Sequence, residues 1–116
     1  GPFVVGPAVE RKIGISAFSA MTINAGKWFD ASWAREKGLY NEVFDTTEEM
    51  DAEIEKLAST LSKSNPEAME GLKKVMWEGT NHWDTLLMER AENSGKLVLS
   101  DFTKNAIEKF KENNEQ

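Results

Sequence analysis

His82 is the single histidine of this 116-residue chain, which has no cysteine. A thiolate nucleophile, a disulfide framework, a sulfur-rich zinc site and a two-histidine metal motif are therefore excluded within it. His82 sits beside a predicted helix start, where a polar or capping role is the ordinary use of such a side chain. No catalytic residue and no metal ligand is assigned. The acidic residues Glu48, Glu49, Asp51, Glu53 and Glu55 crowd one predicted helix, but they alternate around its apolar stripe. That pattern describes a solvated face better than a general acid–base pair. Trp28, Phe29 and Trp33 surround a predicted turn, where flat apolar walls would suit an acyl chain or pack under a loop. Lys104, Lys109 and Lys111 accompany Phe110 on the last predicted helix, a cation-and-ring combination able to meet a phosphate and stack on a base. A charged outer face is the competing reading. Glu10-Arg11-Lys12 before Gly14 lacks any phosphate-cradling GxxxxGK[ST] pattern and is discounted as an anion site.

Charge narrows the partners. Twenty acidic residues against 14 basic ones give a formal charge of -6, opposite to the footprint that a phosphate backbone selects, so no nucleic-acid partner is expected. No apolar run approaches the roughly 20 residues of a membrane span, and no charged-then-apolar leader opens the sequence, so no membrane partner is expected either. The absence of cysteine suits a reducing compartment, and a cytoplasmic location is the expectation.

The elements that must position these residues are predicted to be helices. The apolar, Gly- and Pro-broken opening Gly1–Pro7 reads as a buried turn entering a helix. From Ala8 to Asn24 the spacing of Val9, Ile13, Ala17, Phe18 and Met21 predicts a helix, a glycine hinge at Gly14 and a second helix. Asp30 is placed to cap a helix of about two turns ending at Gly38. Leu39–Phe44 alternates apolar and polar residues and is the one strand candidate. Thr46–Glu49 has a capping-box pattern, and Met50, Ile54, Leu57, Ala58 and Leu61 line one face of the helix that follows. Asn65-Pro66 starts another, carrying Met69, Leu72, Val75 and Met76 toward Gly79, and a tightly joined antiparallel pair is expected. A further helix runs from Trp83 past Gly95. The last begins at Ser100-Asp101, with Phe102, Ala106 and Phe110 on its inner face, and Lys111–Gln116 is expected to fray.

The segment from Gly26 to Val43 resembles a crotonase-family signature, G-x-x-F/I-x-A-x-x-A-x-x-x-G-L-V-x-x-V, with Gly26, Phe29, Ala31, Ala34, Gly38, Leu39 and Val43 matching. Pro2–Pro7 followed by Arg11–Gly14 is similar to the helix entry after that family's second catalytic glutamate. Asn65–Ala68, Lys73 and the Ser100–Phe110 region then follow in family order. The resemblance covers essentially this whole chain, but only the C-terminal part of a family member.

The resemblance implies a mainly α fold, the C-terminal helical domain of a crotonase enzyme, with at most one short strand and without the ββα spiral core. It divides the chain into a helical segment over 1–26 that follows the core and a trimerisation and active-site-covering region over 27–116. The implied activity is that of an enoyl-CoA hydratase/isomerase, which stabilises the enolate of an acyl-CoA thioester through two backbone N–H groups of the spiral. Two glutamates serve as general acid and base, both expected upstream of Gly1, so this chain is expected to be silent alone. Coenzyme A enters as part of the substrate, with no separate cofactor. Phe110 matches the family's adenine-contacting aromatic. The family's lysine three residues later is Asn113 here, and Lys109 or Lys111 is expected to replace it. A second aromatic position is Ser94. A homo-oligomer, a trimer or a dimer of trimers, is implied. The alternatives are another crotonase chemistry (isomerase, decarboxylase, thioester hydrolase) or a non-enzymatic helical interaction domain.

Overall fold

The computed structural model describes residues 2–114, and the described residues form six helices: α1 Gly6–Ile23, α2 Ala31–Glu36, α3 Thr47–Ser62, α4 Pro66–Met76, α5 Trp83–Val98 and α6 Asp101–Asn114. The expectation of a mainly α fold is met. Most helix starts lie where short polar side chains can satisfy orphan N–H groups. Asp30 Oδ1 accepts from Trp33 N–H at 2.8 Å, and Thr46 Oγ1 accepts from Glu49 N–H at 3.2 Å. Asn65 Oδ1 accepts from both Glu67 and Ala68 N–H, ahead of Pro66, whose missing donor costs nothing in a first turn. Ser100 Oγ accepts from Thr103 N–H at 3.4 Å to open α6. His82 occupies the position before α5 without a side-chain cap; its carbonyl accepts from Leu86 N–H at 3.0 Å.

The hinge in α1 is real. Gly14 has φ +78° and ψ +161°, a conformation closed to side-chain-bearing residues, and it divides the helix. Residues 6 and 18 would lie about 18 Å apart along a straight helix. The break instead lets the Phe18 ring approach Gly6, where an added Cβ would meet Cζ at 3.2 Å. Gly6 is accordingly buried.

Five expectations are corrected. The apolar opening is a turn but not a buried one, since Pro2, Val4 and Val5 are exposed. Leu39–Phe44 is not a strand: residues 39–41 are bends and 42–44 irregular, and no strand exists among the described residues, so nothing supplies the ladder partner that alternation needs. The apolar residues of this segment face α3 instead. Nor do α3 and α4 pack as an antiparallel pair; among the described residues the one pair of helices whose backbones come close together is α5 with α6. The proposed inner face of α6 is open, with Phe102 84% and Phe110 69% exposed, because no other helix is laid against it. The tail does not fray at Lys111, since α6 continues to Asn114; Glu115 and Gln116, like Gly1, lie outside the described residues.

The outcome is a chain with scarcely any interior. Ala34 is the one buried apolar side chain among the described residues. The radius of gyration is 19.2 Å, whereas a compact domain of this length has about 13 Å. Accessible surface amounts to 9778 Å², and a compact monomer of this mass exposes roughly 6,300 Å². The excess, on the order of 3,000 Å², is larger than one partner's share of a standard interface, about 800 Å². Apolar helix stripes that should be covered are bare: Ile54, Leu57, Leu72, Val75 and Met76 are each exposed.

Candidate functional site

Three places gather the residues singled out from the sequence. The first is the turn around α2. Its C-terminus closes as a Schellman motif: Leu39 N–H donates to Ala34 O at 2.8 Å and Gly38 N–H to Arg35 O at 3.1 Å. Gly38 takes φ +82°, where it also lies near the Lys12 carbonyl of α1. Phe29 and Trp33 pack with centroids 4.3 Å apart and their planes tilted by 42°, and Lys27 Nζ sits 4.9 Å from the Phe29 ring centroid. Trp28 is not part of this cluster, being 95% exposed. The expected group of three aromatics is therefore a pair.

The second is a groove of about 880 Å³ between the Leu39–Asp45 segment and α3. Leu39, Val43, Phe44, Met50, Ile54 and Leu57 make it apolar. At its edges stand Lys12, Glu42, Asp45 and Glu53, of which Glu53 pairs with Lys56 at 3.4 Å. Of the five acidic residues expected to form a solvated face, Glu48, Glu49, Asp51 and Glu55 are exposed, while Glu53 is half-buried.

The third is α6, which carries Lys109, Phe110 and Lys111. At about 100° per residue, Lys109 and Lys111 point to nearly opposite sides of the helix, so they do not converge on one anion. Phe102, Ala106 and Phe110 share a stripe with Asn113, and Lys109 borders it, one turn before Asn113. Lys111 lies on the far side with Lys104. Of the two lysines expected to replace the one absent at position 113, Lys109 has the geometry to act on the side of Phe110. Ser94 is half-buried within α5 and presents no ring.

Arg11 does something no sequence pattern announced. Its guanidinium donates to the carbonyls of Met76 and Glu78, the latter at 3.0 Å, and lies 5.9 Å from the Trp77 ring centroid. It thereby caps the C-terminus of α4, where orphan carbonyls and the helix dipole favour a cation. Trp77 meets Trp83 edge-to-face at 5.7 Å across the Gly79 turn, and Gly79 has φ +82°. Among the described residues these are the only hydrogen bonds that join distant parts of the chain. The sequence offers Arg11 only as one of three consecutive charges, and the carbonyls it serves are 65 and 67 residues away.

Among the described residues there is no group of metal-ligating side chains and no helix long and apolar enough to cross a membrane. Comparison with protein-family models, curated proteins and solved structures yields no match.

Proposed function

We propose that this chain is the C-terminal helical portion of an enoyl-CoA hydratase/isomerase of the crotonase type, acting on an acyl-CoA thioester through an oxyanion-stabilised enolate. The observation that carries the reading is the Gly26–Val43 segment, in which seven residues match the signature at fixed spacing. Three of them hold defined places: Ala34 is buried, Gly38 has positive φ, and Leu39 closes the α2 cap. The bare apolar stripes agree with helices that cover, and are covered by, further protein. In this reading the oxyanion donors and both glutamates belong to sequence upstream of Gly1. Phe110 stacks on the adenine of coenzyme A while Lys109 meets its phosphates, and copies of the chain associate in a trimer or a dimer of trimers in the cytoplasm.

The test is the coding sequence upstream of the Gly1 codon. A continuous reading frame encoding a ββα spiral, with a glutamate a few residues before Gly1 and another farther upstream, is the expected result. An initiation codon directly before Gly1 would overturn the proposal. It would turn attention to the other reading that the exposed apolar faces favour, a non-enzymatic helical interaction domain.

A further inference from the structure

We draw no further inference here: the strongest candidate, the apolar groove between the Leu39–Asp45 segment and α3, carries nothing because nothing in the structure shows what covers it.

Discussion

Replacing Arg11 with methionine keeps an apolar stem of similar length and removes the guanidinium that ties α1 to the end of α4. Two carbonyl hydrogen bonds and one cation–π contact are lost. At an exposed site each hydrogen bond contributes about 0.5–1 kcal/mol and the ring contact about 0.5 kcal/mol. The sum, about 2 kcal/mol, corresponds to a roughly 30-fold shift in the equilibrium between docked and undocked α1. Hydrogen exchange read by mass spectrometry on peptides spanning 6–14 and 66–78 is the appropriate assay, because it reports local opening without requiring a global two-state transition. Exchange should accelerate in both peptides in Arg11→Met, and remain unchanged in α6, which Arg11 does not touch. Arg11→Lys should recover only part of the protection, since a single ammonium cannot fork between two carbonyls as the planar guanidinium does. Unchanged exchange in both peptides of Arg11→Met would refute the assignment of Arg11 as the tie.

Other substitutions test the remaining elements. Thr46→Ala removes the α3 cap and should cost about 1 kcal/mol, seen as faster exchange confined to the first turn of α3. Gly38→Ala forces a side chain into φ +82° and should destabilise the α2 exit by about 1 kcal/mol; an unchanged thermal helix signal would contradict the Schellman assignment. The proposed crotonase reading predicts that, in the full-length protein, Lys109→Glu weakens coenzyme A binding by roughly fivefold in calorimetry, while Lys111→Glu leaves it nearly unchanged. Equal effects of the two would remove the geometric distinction drawn on α6.

Much of the local structure was legible because its causes are local. Asp30, Thr46, Asn65-Pro66 and Ser100 announce helix starts through short-range hydrogen bonds, and each is found where its chemistry places it. Gly14 and Gly38 mark backbone conformations that other residues avoid. The Ala34-x-x-x-Gly38-Leu39 spacing has a local meaning as well, since it sets the two carbonyl acceptors and the left-handed residue of one cap.

What periodicity could not settle was which faces meet. The stripe Met69, Leu72, Val75 and Met76 is legible as apolar, but the inference that α3 covers it needed a tertiary partner that is not there. The same holds for Phe102 and Phe110 on α6. Leu39–Phe44 shows the other failure: alternation is a property of one segment, whereas a strand is a property of two. For the candidate site, Phe110 with its lysines was readable as a cation-and-ring pattern. The opposed directions of Lys109 and Lys111 follow only once the helix is continuous through both. The Arg11 clamp had no signal at all, because it depends on a fold-back that spans most of the chain.

The central claim is that these six helices do not enclose a core of their own and require further protein, another copy or additional chain, to cover their apolar faces. Light scattering combined with circular dichroism across a dilution series of the 116-residue chain tests it most directly. Helical signal should accompany a mass of more than one chain and fall together with that mass on dilution, as mass action requires when folding and association are linked. A concentration-independent monomer that keeps its full helical signal and unfolds in one sharp transition would contradict the claim.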